Sequence, residues 1–462
     1  MIIGTVLQSA LKLYKQVVTQ ELIDSVKASS DVVSEQRGGI FSTAVVVWLM
    51  IFQRLSGDHS LLAAIEHLKL GDTRELLLTS GAGSIKARNG RISRNTGGYC
   101  QGRQRIALSV VEQITDSLNE ALSRAGNTKK VQKEKIYAID GTTILISHSQ
   151  KNVKEYSQHK TRMGVSHYPL IRVTLATEMT SGVAMRPAVG AHNGSKATSE
   201  IAQAHEVLDK LEKGSIVLAD RLFGITQIVH KTETLGLKLI VRLKDSVANR
   251  LSKEGDKKSG EQAVIWRPSE YEQKRYPYLA GVEIPGRYIW KTIQRDGFRP
   301  VKLLLFTTCD KSVAEVVALY GLRWNIEQDL RDLKTTLELN FINAKSPDMV
   351  QKEILSGIAA YNLVRHFMKV TAKQLNTTVR GLSFKGFLRI LATLENIILT
   401  SSSDDKLNIK LQSALTDMKF LKHPNRKKPR VSQPRLKWRK GVQRYRTCDD
   451  SLIDQSNDFS KS

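Results

Sequence analysis

The chain has 462 residues, 41% of them hydrophobic and 25% charged, long enough to bury a large core and to form more than one domain. Lys and Arg number 71 against 45 acids, and the net charge of +26 points to a polyanionic partner, nucleic acid ahead of an acidic membrane surface. Cys100, Cys309 and Cys448 form no CxxC pair, which excludes a disulfide framework and a zinc site and fits a reducing cytoplasm.

The opening residues, MIIGTVLQSALKLYKQ, lack the basic start, long apolar core and cleavage site of a signal peptide. The most apolar run is IFSTAVVVWLMIF, Ile40 to Phe52, closed by Gln53 and Arg54. It is shorter than the roughly 20 residues that span a bilayer, so it reads as a buried helix and no membrane partner is expected. Residues 1–130 form a mostly helical N-terminal domain, with apolar residues three and four apart in SLLAAIEHLKL and ALSVVEQITDSLNEALSRAG. Between them KARNGRISRNTGGYCQGRQRI is basic and turn-like. The helix beginning near Gly98 carries Arg103 and Arg105, which are equally well read as a solvated helix start or as DNA-backbone contacts.

From Lys133 the pattern becomes α/β. KIYAID and GTTILIS, YPLIRVTLATE and GVAMRPAVG read as strands, with MTSG as a turn. SKATSEIAQAHEVLDKLEKG is a helix from a Ser or Thr cap to Gly214, SIVLAD a buried strand, GITQIVHKTETLG a helix and LKLIVRLK a strand. In residues 245–309 the helical period disappears, and QAVIWRP, VEIPGRYIWKTIQ and VKLLLFTT make a β-rich insertion. Helices resume in YGLRWNIEQDLRDLK and MVQKEILSGIAAYNLVRHFMKVTAKQL. Residues 376–462 are helical and basic, ending in a Lys/Arg tail of the kind that is disordered alone and binds nucleic acid.

Two acids stand at strand ends, Asp140 in YAIDGTT and Asp220 in VLADRLF, where ligands of α/β sheets collect. A single such Asp is more often a turn cap; two from one sheet suggest a shared cation site. The third acid is chosen by helical geometry. At about 100° per residue, Tyr320, Arg323, Glu327 and Lys334 share a narrow face beside a stripe of Leu319, Leu322, Ile326, Leu330 and Leu333. Asp329 and Asp332 fall on the other side, toward solvent. Alone, Arg323 and Glu327 would be a surface ion pair of a few tenths of a kcal/mol.

Y-x2-R-x3-E-x6-K, Tyr320 to Lys334, resembles the signature of the DDE transposases of bacterial insertion sequences, in the insertion sequence four family. AIDGTT and LADR resemble that family's first and second Asp motifs. NTGGYCQGRQRI, AAYNLVRHFM and NRKKPRVSQPR resemble its N-terminal segment, post-Glu helix and basic tail, so the resemblance runs from about residue 40 to about 440. Two positions depart from it: His148 stands near where many members carry a second Asp, and Leu222 follows the DR pair where Gly is frequent.

The resemblance implies a ribonuclease-H-like core, residues 131–244 and 310–375, interrupted by the β-rich insertion. It also implies an active-site set of Asp140, Asp220 and Glu327, with two Mg²⁺ ions (Mn²⁺ substituting) and no small-molecule cofactor. Tyr320, Arg323, Lys334, Arg221, Arg103 and Arg105 would contact DNA. The partners would be double-stranded DNA, namely the element's inverted repeats and the target, with a homodimer in the complex. The expected setting is the prokaryotic cytoplasm, on the nucleoid. Cleavage and transfer by two-metal chemistry through a hairpin intermediate is the implied function. A related nuclease without strand transfer and a non-catalytic transposase-derived DNA-binding protein are the alternatives. Trp324 reads as core ahead of base stacking, Trp266 and Trp290 are further stacking candidates, and His148, His159 and His167 read as a polar DNA-facing loop rather than a metal site.

Overall fold

The computed structural model describes residues 11–28, 39–70, 91–124, 134–161, 164–251, 259–293 and 301–389, isolated positions aside, with 437–439 and 442–444. Among the described residues the N-terminal part contains α1 (Gln20–Ala28), α2 (Thr43–Leu55), α3 (Leu61–Leu70), α4 (Gly97–Arg105) and α5 (Leu108–Arg124). In α2 eleven of thirteen residues are buried, so it is enclosed on all sides, as the apolar run requires. Its Val45-Val46-Val47 run has poor helix propensity. Packing against neighbours, rather than local preference, must therefore hold it helical. In α5 the buried Val110, Val111, Ile114, Leu118 and Leu122 recur three or four apart and form one stripe.

The strands build one large, mostly open mixed sheet. Its centre is β1 (Ile136–Ile146), followed by helix α6 (Gln150–Tyr156), β2 (Gln158–Thr161) and β3 (Gly164–Glu178). β3 lies antiparallel to β1, with Leu175 opposite Asp140. The MTSG turn is present, with Gly182 at φ +77°, a conformation favouring glycine. After it come β4 (Ala188–Ala191), antiparallel to β3, helix α7 (Glu200–Leu208) and β5 (Ile216–Ala219), parallel to β1. Helix α8 (Thr226–Thr234) leads to β6 (Lys238–Arg242), parallel to β5. The order β4-β3-β1-β5-β6, with β3 alone running against β1, β5 and β6 across the middle, is compatible with the expected core.

Two expectations are corrected. Asp140 lies inside an unbroken eleven-residue strand, not at the end of a shorter one. The stretch from 245 to 309 contains two short helices, α9 (Asp245–Leu251) and α10 (Glu270–Arg275), as well as β7 (Ser259–Trp266), β8 (Ile284–Ile293) and β9 (Val301–Thr307). Its strands continue the same sheet, because β9 pairs antiparallel with β6 through Ile240 and Thr307, and β8 and β7 follow outward.

Side chains alternate across the sheet. Tyr137 and Ile139 of β1, Val217 and Ala219 of β5, and Leu239 and Val241 of β6 join Val207, Leu208, Ile228 and Val229 of α7 and α8 in one core. Asp140 therefore points to the opposite face, where β1 meets the helices that follow β9. These are α11 (Val313–Gly321) and α12 (Trp324–Arg331), then a π turn over Asp332–Thr336, β10 (Phe341–Ile342) and the long α13 (Pro347–Gln374), capped by Ser346. Helices α2 and α5 pack along α13. A second compact unit takes in residues 291–303 and 424–462; within it β11 (Lys437–Arg439) and β12 (Val442–Arg444) form an antiparallel ladder, and the rest of the basic tail lies outside the described residues. No described helix is long and apolar enough to cross a membrane.

Glu353 of α13 ties the N-terminal helices down. Its Oε2 accepts from Arg54 of α2 and its Oε1 from Arg103 of α4, each at 2.5 Å, with all three side chains largely buried. Arg103 is thus buried in an ion pair rather than offered to a DNA surface, while Arg105 is exposed and donates to the Phe41 carbonyl. Removing one partner strands the others in a poorly solvated place. Glu353→Ala is expected to cost about 3–5 kcal/mol of unfolding free energy, read by urea denaturation.

Candidate active site

Strand pairing brings the two Asp residues together. β1 and β5 are in register at Ala138 and Leu218, and two residues further on Asp140 stands level with Asp220, the residue that follows β5. Directly opposed residues on parallel strands point to one face, so two carboxylates project side by side from neighbouring strands. The Asp140 carboxyl is pushed up to about 6, first by burial and then by the Asp220 charge, against the opposing pull of the Gly141 N–H and Arg323. That N–H donates to Asp140 Oδ1 at 2.9 Å. Asp220 Oδ1 accepts from the Leu222 N–H at 2.7 Å, so the turn after LADR is closed by the Asp itself and Leu222 is accommodated there with its side chain exposed.

Arg323 links these acids to the helical side. Its guanidinium donates to Glu327 Oε1 at 2.9 Å and comes within 4.0 Å of Asp140 Oδ2. Arg323 is buried, whereas the Glu327 side chain is 44% exposed. This is therefore more than a surface i,i+4 pair: the cation is fixed beneath, and the acid faces outward. Tyr320 is buried under the guanidinium, its hydroxyl pushed up mainly by burial, with Arg242 and Asp220 among its charged neighbours. Among the described residues no three carboxylate, imidazole or thiol groups converge closely enough to hold one ion. The Asp pair is assembled, and Glu327 is engaged with Arg323.

The helical wheel holds only in part. Hydrogen bonds from the Leu322, Arg323, Asn325 and Ile326 N–H groups reach back three residues, so α11 and α12 meet at a tight turn. Past α12 the π turn widens the spiral, and the Leu337 N–H bonds the Asp332 carbonyl. Asp329 and Asp332 do not face solvent. Asp329 is fully buried and accepts from Arg365 at 2.8 Å and from Arg380, and Asp332 accepts from Arg365 at 3.1 Å. The wheel gave their direction correctly as away from Glu327, but α13 covers that side.

Lys334 is half-buried and Arg221 exposed. Trp324 is 59% exposed with Arg323 4.7 Å from its ring, which corrects the core reading. Trp266 is wholly buried, donating to Thr226 Oγ1, and Trp290 is 8% exposed, so neither is free to meet a base. His148 and His167 are exposed and stacked at 5.8 Å, followed by Tyr168 and Phe341, while His159 pairs with Asn193. The sequence reading did not single out Arg242, at the end of β6, or Arg365 and Arg380. For Arg365 a signal existed: it lies four residues after Tyr361 among the apolar residues of α13, where a lone Arg needs buried acids.

Residues 131–363, just over half of the chain, match the family described as the transposase DDE domain. The chain belongs to that family. It is 24% identical over 283 residues to "Transposase InsG for insertion sequence element IS4" from Escherichia coli (strain K12). That alignment covers 60% of this chain and 61% of the relative, so the chain spans about three fifths of the relative it matches. The matched segment contains Asp140, Asp220, Arg323 and Glu327, and it ends inside α13 at Leu363.

Two outcomes follow for this DDE domain. Asp329→Asn is expected to lose about 3 kcal/mol or more in chemical denaturation, because Arg365 and Arg380 lose a buried counter-charge. Arg331→Gln, on the exposed side, is expected to stay within about 0.5 kcal/mol. Asp140 gives a pH signature. Its folded pKa of about 6 lies above the usual 3.8, so the folded protein binds the proton more tightly and stability falls as pH rises between the two values. In chelator, Asp140→Asn is expected to be more stable than the wild type at pH 7 by about 1–3 kcal/mol, and the gain is expected to vanish near pH 3.

Proposed function

We propose that the chain is a transposase that cuts the ends of its own insertion sequence and joins them to target DNA, through a hairpin intermediate. The observation that carries this reading is the arrangement of Asp140 and Asp220 side by side, with Arg323 reaching from Asp140 to Glu327. The donor set is wholly carboxylate, which suits a hard divalent cation, and Asp140, Asp220 and Glu327 would hold it. When bound, a pair of Mg²⁺ ions, or Mn²⁺ in their place, supplies activation of the attacking oxygen and stabilisation of the leaving one.

The chain's own residues do the rest. Arg323 is held among acids and aromatic rings, and its guanidinium can exchange Glu327 for a phosphate of the bound strand. Arg242, beside Tyr320, with Lys334 and Arg221, would place positive charge around the same face and anchor the backbone on either side of the break. Tyr320 supports Arg323 from below. Trp324, exposed beside it, offers a flat ring on which a displaced base can stack, as closing a DNA hairpin requires. A ribonuclease-H-like core at 131–244 and 310–375, extended by 245–309, with an N-terminal DNA-binding region at 1–130 and a basic region at 376–462, accounts for the sheet order and the charge of +26. Of the two arginines Arg103 and Arg105, Arg105 is the one left for DNA, since Arg103 is occupied by Glu353. Two such chains on paired inverted repeats would form the working complex on the bacterial nucleoid.

The test is incubation of purified protein with Mg²⁺ and DNA carrying the element's own ends. Nicked and then hairpin products are expected on a denaturing gel, and Asp140→Asn, Asp220→Asn and Glu327→Gln are each expected to abolish them while leaving DNA binding in place. Trp324→Ala is expected to lower hairpin yield about tenfold with nicking retained, as loss of one stacking contact implies. Binding without cleavage by the wild type would instead mark a non-catalytic derivative.

A further inference from the structure

Glu200 has no part in the three-acid set, yet its position is closely built. It is the first residue of α7, whose start is capped by Ser199. That helix is pinned to the sheet by Gln203, which accepts from Thr174 Oγ1 at 2.8 Å and donates to the Arg172 carbonyl at 3.1 Å. Arg172 in turn donates to the Thr198 carbonyl at 2.5 Å. So fixed, the Glu200 carboxylate rests on Gly141, the residue immediately after Asp140. A Cβ at position 141 would stand 2.5 Å from Glu200 Oε1, so the carboxylate occupies the place of the side chain that Gly141 lacks. The Gly141 N–H holds Asp140 Oδ1, and Asp220 is among the charges that Glu200 faces.

We propose that Glu200 is a positioning residue for the Asp140–Asp220 pair: seated on Gly141, it fixes the backbone that carries Asp140 and adds negative charge behind both acids, raising their affinity for a divalent cation. This rests on the reading of that pair as a cation site. Gly141 leaves the room that the Glu200 carboxylate fills, at a strand position where glycine is otherwise unfavourable. Burial and the Asp220 charge push the Glu200 carboxyl up from its ordinary range, and Arg172 opposes that shift and balances part of the added charge.

The test reads cation binding directly. Mn²⁺ is titrated into the full chain by calorimetry, beside measurement of DNA-end affinity in chelator. Glu200→Gln keeps the shape and removes the charge. It is expected to weaken Mn²⁺ binding about tenfold, to raise the Mn²⁺ concentration needed for cleavage by the same factor, and to leave chelator DNA affinity unchanged. Gly141→Ala is expected to lose cleavage and the double change Gly141→Ala with Glu200→Gly to regain it, since the second change removes the clashing carboxylate. Unaltered Mn²⁺ binding by Glu200→Gln, while Asp220→Asn abolishes it, overturns this inference and leaves the cation site standing. If Asp220→Asn is silent too, the reading of the site fails and this inference with it. Normal cleavage by Gly141→Ala alone overturns the packing argument.

Discussion

The arrangement depends on a buried cation. Arg365 of α13 lies among Tyr361, Phe384, Asp329 and Asp332, with its guanidinium hydrogen-bonded to both acids and to the Tyr361 hydroxyl. Arg380 adds a second cation on Asp329. Buried charges are tolerated only when fully paired, and here two acids and two bases meet in one place. Because the acids belong to α12 and the π turn, and Arg365 to α13, the network fixes the roll of α12 about its axis. That roll decides which acid faces outward: it commits Asp329 to the buried network and turns Glu327 toward Arg323.

From that constraint the site follows in steps. The β1–β5 register sets Asp140 level with Asp220, and alternation sends both to the side where α12 lies. Arg323, at the tight turn between α11 and α12, reaches down to Asp140 and across to Glu327. Each contact joins an element fixed by apolar packing to one fixed by charge. The sheet core supplies rigidity, and the ionic contacts supply orientation.

Much of this was legible in the sequence. The buried strands, the enclosed α2 and the long α13 were evident from hydrophobic pattern, because pattern reports burial. The pair Asp140 and Asp220 was legible because each follows an apolar strand run. The faces of the α11–α12 region were legible only in part. Periodicity gives the angle between residues but not what lies outside a given face, and it assumes a regular spiral that the tight turn and the π turn interrupt. Polar letters on the far side of Glu327 read as solvent-facing, although Arg365, some thirty residues on, covers them. Trp324 failed in the reverse direction, as an aromatic assigned inward that lies outward beside a charged ring partner. Glu200 was invisible, since its meaning comes only from contact with a glycine on another element.

The enclosure of α2 has a consequence for how the protein is made. This helix is synthesised early, while the Glu353 that pairs with Arg54 lies 299 residues later. At about 5–20 residues per second, the side of α2 that meets α13 stays uncovered for roughly 15–60 s on the ribosome. Its run of valines is an aggregation hazard throughout that interval. The contacts of α2 with α3 and α4 can form early, but those with α13 wait until most of the chain has been made.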